Sequence, residues 1–271
     1  MAGRGLYPRP HVHANKKQTK MQRYKLTIEF DGTDYCGFQK QPLSKLHSIE
    51  GLLEKSVQNI FNEKVKIVAS GRTDAGVHAL SQTIHFDLIK TYEDHKIISG
   101  LNHYLQNYNI AILSCQKATP DFHARFSSIG RSYKYKIINR RPRLALDKFR
   151  AWHVPLPLDI KLMQEAATYL IGEHDFTSFR HSDCHALTPI KKIDKLEVIQ
   201  INNEEIEIII SANAFLQHMV RNIVGTLTQV GLKKLTPMKV KEILEQKNRT
   251  TSGPNAPSQG LYFTSAKYST K

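Results

Sequence analysis

The chain has 271 residues, with 39 Lys and Arg against 24 Asp and Glu and a formal net charge of +15 at pH 7. Hydrophobic residues are 40% and charged residues 23%, which excludes a disordered or fibrous chain, and no apolar run is long enough to span a bilayer. Cys36, Cys115 and Cys184 are too few and too scattered for a disulfide framework, so a reducing cytoplasm is the expected compartment.

Residues 1–20 carry Arg4, Arg9, Lys16, Lys17 and Lys20, no acid and no hydrophobic period, and they are expected to form a disordered basic arm. A mitochondrial presequence is acid-poor in the same way, but Pro8 and Pro10 count against its amphipathic helix. Most of the positive excess therefore lies in the body of the chain. A globular body this basic points to a polyanion, because Lys and Arg release counterions from phosphates.

In chain order, "YKLTIEFDG" alternates Tyr24, Leu26, Ile28 and Phe30 with polar residues and predicts a half-buried strand. Residues 48–61 place Ile49, Leu52, Leu53, Val57, Ile60 and Phe61 on one helical face, with Ser48 as N-cap. "VKIVAS" and "SQTIHFDLI" read as strands on either side of a glycine-flanked loop, "EDHKIISGLNHYL" as a helix and "IAILSCQKA" as a strand. The second half repeats this order loosely. "SYKYKIIN" is a strand, and residues 159–172 are a helix capped by Asp159 and ended by Gly172. Residues 192–212 are a hairpin turning at Asn202-Asn203, and 215–231 a long apolar helix. A helix with Thr236 as cap and Pro237 at its first position follows, then a closing strand, "GLYFTSAKY". Sheets with helices on one face give an α+β class. The boundary falls near residues 118–120, dividing 21–118 from 119–271, and strand 260–268 is free to return to the seam.

The loop between the two early strands, "SGRTDAGVHAL", holds Asp74. An aspartate in a glycine-flanked turn is ordinary capping chemistry. A carboxylate at the rim of a sheet is also placed to act as nucleophile or base, provided that an opposite charge keeps it ionised. Arg72 is the local candidate. Arg221 is the second, because it sits inside an apolar helical pattern where a charge needs a partner; its neighbours His218 and Asn222 also fit an ordinary surface arginine. "HSDCH" at 181–185 lacks a second ligand cluster, so no metal is expected.

Six blocks occur in order: "EFDGTDYCGFQKQ", "SGRTDAGVHALSQTIHF", "DFHARFSSIGRSYKYKI", "EHDFTSFR", "ANAFLQHMVRNIVG" and "GLYFTSAKY". Together, from about Tyr24 to Tyr268, they resemble the tRNA pseudouridine synthase A (TruA) family. The resemblance implies two α/β halves, each with a four-stranded antiparallel sheet, joined into one continuous sheet with the active-site cleft between them. It implies Asp74 as the catalytic nucleophile, Arg221 as its ion-pair partner and Tyr133 stacked on the uracil. It further implies Arg72 at the flipped nucleotide and Leu261 lining the uracil pocket. Gln259 stands where the family commonly has Glu, and Phe38 where it has Trp. The implied reaction converts uridine to pseudouridine in the anticodon stem-loop of tRNA, at about positions 38 to 40, without a cofactor and in a homodimer. Arg140, Arg141, Arg143, Lys191 and Lys192 are candidate phosphate contacts. The alternatives are a tRNA-binding or chaperone relative without activity, and a metal-dependent hydrolase drawing on His78 and His85.

Overall fold

The computed structural model describes residues 21–184 and 186–269; the expected basic arm lies outside the described residues. Among them, ten strands form one sheet with five α-helices packed on it. The strands are β1 (Gln22–Phe30), β2 (Val68–Ala69), β3 (His78–Leu88), β4 (Ile110–Ala118), β5 (Ser128–Asn139), β6 (Trp152–Val154), β7 (Gly172–Asp175), β8 (Ile190–Gln200), β9 (Glu205–Ala212) and β10 (Leu261–Tyr268). The helices are α1 (Ile49–Phe61), α2 (Asp94–Leu105), α3 (Ile160–Thr168), α4 (Met219–Gly231) and α5 (Pro237–Gln246). No described helix is long and apolar enough to cross a membrane.

The main path runs β4-β1-β3-β10-β5-β9-β8-β7, with β2 paired to β3 and β6 to β5. The α+β class and the single joined sheet agree with the sequence. β10 lies between the halves: parallel to β3 through Tyr262 and Phe263, and antiparallel to β5 from Leu261 to Tyr268. The helices cover one face, and a continuous core runs from Tyr24, Leu26 and Ile28 through Phe263 and Tyr135 to Ile223 and Leu227.

Local chemistry explains most boundaries. Ser48 Oγ accepts the Gly51 N–H at the head of α1, Asp159 accepts from Leu162 on α3, and Thr236 accepts from Lys239 on α5. Asn202 Oδ1 accepts from the N–H groups of Glu204 and Glu205, closing the hairpin between β8 and β9 at the expected turn.

Several expectations need correction. Residues 65–70 form only the two-residue β2, and β6 and β7 were not foreseen because neither is long enough to show a period. Helix α3 ends at Thr168, and Gly172, at φ 106°, opens β7 instead of capping a helix. The expected helix from residue 215 begins only at Met219, because His218 is held left-handed at φ 62°.

Strand β3 departs most instructively from simple alternation. Gln82, Thr83 and His85 are buried along with Ile84 and Phe86, so both faces of the strand are covered. The second cover is the crossover from β4 to β5. Arg23 on β1 forms a two-pronged ion pair with Asp87, at 2.7 and 2.8 Å, and its Nη1 donates to the carbonyls of Pro120 and Phe122. His85 Nδ1 accepts the Ala124 N–H at 3.1 Å. Burial, with Arg23 and His123 nearby, lowers the His85 pKa to about 4.

The unfolded chain therefore takes up a proton near pH 6.5 while folded His85 resists until about 4. Its contribution is present above pH 6.5 and is lost as the pH falls through this window, by about 3 kcal/mol in all. Urea unfolding at a series of pH values should show that decline. It should be flattened in His85→Asn, which keeps an acceptor for Ala124 but does not titrate.

Candidate active site

The loop from β2 to β3 is built from three close contacts. Val77 N–H donates to the Asp74 carbonyl at 3.2 Å, making a tight turn, and Phe38 N–H donates to the Thr73 carbonyl at 3.1 Å. Gly76 adopts φ 76°, and a Cβ there would stand 2.7 Å from Ser258 Oγ, so the turn needs glycine for both conformation and space. The Asp74 side chain emerges 35% exposed at the mouth of a cleft.

Both described polar contacts of that carboxylate fall on Oδ2. Arg221 Nη1 donates to it at 3.1 Å, and His218 Nε2 lies 3.2 Å away. Arg221 is held in turn by the segment before β10: its Nε donates to the Ala256 carbonyl at 2.7 Å, and Ala256 N–H donates to the Arg221 carbonyl at 3.1 Å. That segment can sit on α4 only because residue 225 is glycine, since a Cβ there would lie 1.7 Å from the Pro254 carbonyl oxygen. A guanidinium inside an apolar helix thus finds its carboxylate 147 residues away in sequence. Arg72, the local candidate for that role, is exposed and has no ion pair with any described residue. The charge opposite Asp74 comes from Arg221 on α4.

The cleft has a volume of about 760 Å³, and all five site residues named from sequence line it: Arg72, Asp74, Tyr133, Arg221 and Leu261. Tyr133 is buried, with Phe215 and Phe263 meeting its ring edge-on at centroid distances of 5.1 and 5.2 Å. Burial pushes its phenol up to about 12, so at neutral pH it holds its proton and can donate but not act as a phenolate. Leu261 is 6% exposed, at the first position of β10, opposite Tyr135.

Two cleft arginines escaped the sequence reading. Arg131 donates from Nε to the Ser70 carbonyl at 2.7 Å and from Nη2 to the Arg125 carbonyl at 2.8 Å. It lies two residues before Tyr133 on β5, and the period of two would have placed both on one face. Arg125 lines the same rim. In the sequence His218 is a polar neighbour of Arg221, and its place three residues before that arginine is the available signal. His181, from the "HSDCH" stretch, packs edge-on against the His218 ring at 4.5 Å.

The candidate phosphate contacts are dispersed. Arg140 follows the far end of β5, about 30 Å along the strand from Arg131, and its Nη1 pairs with Glu204 at 2.8 Å. Arg141 and Arg143 beside it are exposed. Lys192 is exposed and 3.8 Å from Asp194. Lys191 is turned inward: its ammonium donates to the carbonyls of Thr188 and Ile190, and burial lowers its pKa.

Comparison with known proteins bears on most of the chain. The family model described as tRNA pseudouridine synthase matches residues 26–127 and 166–269. The tRNA pseudouridine synthase A of Paramagnetospirillum magneticum is 45% identical over 249 residues, covering 92% of this chain and 96% of that protein. The tRNA pseudouridine synthase A of Orientia tsutsugamushi is 42% identical over 285 aligned positions, covering 92% of this chain and all of its own. Among solved structures, a Cbf5-Nop10-Gar1 complex aligns with 89% of this chain and 49% of its own at 10% identity and a TM-score of 0.37, too distant to argue from. The family model and the two relatives extend across both halves of the sheet and both elements that meet at Asp74, and the chain belongs to the tRNA pseudouridine synthase family.

Proposed function

We propose that this protein isomerises uridine to pseudouridine in the anticodon stem-loop of tRNA, at about positions 38 to 40, with Asp74 as its catalytic carboxylate. The observation that carries the reading is the Asp74–Arg221 ion pair, 3.1 Å long, at the mouth of a cleft walled by Tyr133 and Leu261. Asp74 is half in solvent, within reach of an entering nucleotide, and its charge is balanced from the protein side.

The reaction breaks the N1–C1′ bond, turns the uracil over, joins C5 to C1′, releases the C5 proton and protonates N1, so the product is an isomer of the substrate. It needs a carboxylate at the sugar or ring, an apolar slot for the free base and a route for one proton. Asp74 supplies the carboxylate. Tyr133 and Leu261 supply the slot, and the neutral phenol of Tyr133 is a proton donor there. The target base must leave its stack, at a cost of a few kcal/mol. Arg72, exposed at the rim with no protein partner among the described residues, is suited to fill the space it vacates. Arg125, exposed at the rim, would meet phosphates at the cleft, and Arg141, Arg143 and Lys192 the stem beyond it. On the family resemblance, the enzyme works as a homodimer in the cytoplasm.

The deciding experiment is single-turnover tritium release from [5-³H]uridine tRNA. The wild type should release tritium, and Asp74→Ala should lose at least about 1,000-fold in rate while still binding tRNA. Tight binding with no release from the wild type would favour a binding-only relative instead. Tyr133→Phe keeps the slot and should slow the chemical step by about 100-fold or more. Since the phenol titrates only at about 12, that change should leave the shape of the rate profile around neutral pH unaltered. Replacing Arg141 and Arg143 together by Ala should reduce the slope of log affinity against log salt by about 2, with the rate at saturation unchanged.

A further inference from the structure

His218 is the one ionisable group besides Arg221 that the described contacts bring onto the Asp74 carboxylate, and the reaction as written gives it no task. Its placement is specific. It precedes the first residue of α4 in the left-handed region, φ 62° and ψ 1°, which a residue with a Cβ rarely adopts. The ring is fixed on three sides. Nε2 meets Asp74 Oδ2 at 3.2 Å, Nδ1 meets the Asn255 amide nitrogen at 3.0 Å, and the His181 ring packs edge-on at 4.5 Å. Asn255 belongs to the same segment that holds Arg221 through Ala256. One piece of chain therefore orients both groups that approach Oδ2.

The chemistry assigns the proton. An ionised carboxylate oxygen accepts and never donates, so Nε2 carries hydrogen. With the Asn255 amide nitrogen facing it at 3.0 Å, Nδ1 is the lone-pair nitrogen and the ring is neutral, the state that its burial also favours. We propose that His218 is a positioning residue for Asp74: a neutral Nε2–H donor that, with Arg221, fixes Oδ2 and leaves Oδ1 as the oxygen presented to the uridine. This rests on the synthase reading given above. Two donors on one oxygen stop the carboxylate from rotating about its last bond, so the reacting oxygen is already aimed when the base enters.

The charge state of the ring matters for the same reason. The groups facing it are Asp74, which favours its protonation, and Arg221, His181 and Arg249, which oppose it; His181 itself lies 3.9 Å from Asp183. Burial is the largest influence, and the result is a histidine whose pKa is lowered. The neutral donor is thus the form present at neutral pH. As the pH falls through the lowered value, the ring becomes a second cation against Oδ2 and draws charge away from Oδ1, so the rate declines on the acid side.

The test compares wild type, His218→Ala and His218→Gln by single-turnover tritium release at saturating enzyme, from acid to mildly alkaline pH, alongside tRNA binding. His218→Ala should lower the rate by about 10- to 100-fold with tRNA affinity within about twofold, as expected for loss of a hydrogen bond to a charged group. His218→Gln offers an amide N–H without a titration. It should recover most of the rate and move the acid limb to lower pH. A His218→Ala enzyme with wild-type rate and pH profile would overturn the assignment. So would a His218→Gln enzyme as slow as His218→Ala while binding tRNA normally. A second readout does not depend on turnover: NMR titration of the His218 ring, whose midpoint should fall further in Asp74→Asn because the carboxylate no longer favours the proton. An unmoved midpoint would sink the contact itself, whereas a moved midpoint together with a wild-type enzyme that releases no tritium would sink the synthase reading and leave the contact standing.

Discussion

The structure is organised around one ion pair that neither half can make alone. Asp74 comes from the loop entering β3 and Arg221 from the first turn of α4, and the two are 147 residues apart. A partly buried guanidinium without a carboxylate would cost several kcal/mol, and so would removing one partner from such a pair. The pair therefore constrains everything that brings α4 to the loop: the register of β5 with β9, the seat of the 252–257 segment on Gly225, and the placement of β10.

β10 does the joining. It adds parallel pairing to β3 and antiparallel pairing to β5, and in one step converts two edges into the interior of a sheet. The aromatic wall of the cleft follows from the same geometry. Phe263 on β10 lies opposite Tyr133 on β5 and meets its ring edge-on, while Phe215 closes the other side. The slot is thus made mainly of side chains anchored on strands, with Phe215 added from the loop between β9 and α4, and the polar groups are carried by a turn and a helix start. That division puts rigidity where a planar base must fit and short reach where charge must be aimed.

Much of this was legible in the sequence, for identifiable reasons. Strand β1 and helices α1 and α5 announce themselves through clean periodicity and a capping residue, and the capping bonds of Ser48 and Thr236 form as expected. Asp74 was legible as a turn carboxylate, and Arg221 as a charge out of place in an apolar helix. What was not legible depends on long-range packing. The burial of both faces of β3 from Gln82 to Phe86 needs the crossover clamped by Arg23, which no local pattern reveals. The late start of α4 needs His218 to be drawn toward Asp74, and intrinsic propensity favours continuing the helix back to Phe215. Lys191 looks like a surface cation next to Lys192, yet it falls on the inward phase of β8, and its ammonium is consumed by backbone carbonyls. Arg72 illustrates the opposite error: proximity in sequence to Asp74 suggested a pairing, and the carboxylate pairs instead with Arg221.

The position of β10 has a consequence for biogenesis. It is synthesised after every other strand of the sheet, and so is the Asn255–Ala256 segment that holds His218 and Arg221. While the chain is growing, β3 and β5 are both open edges, and Asp74 and Arg221 belong to two partly built bodies with no strand between them. Any earlier association of those edges would be non-native pairing, of the kind that makes large sheets prone to misassembly during synthesis. The chemical machinery is therefore switched on by the arrival of a single late strand, so a nascent chain carries the whole of the first half long before it can touch a uridine productively.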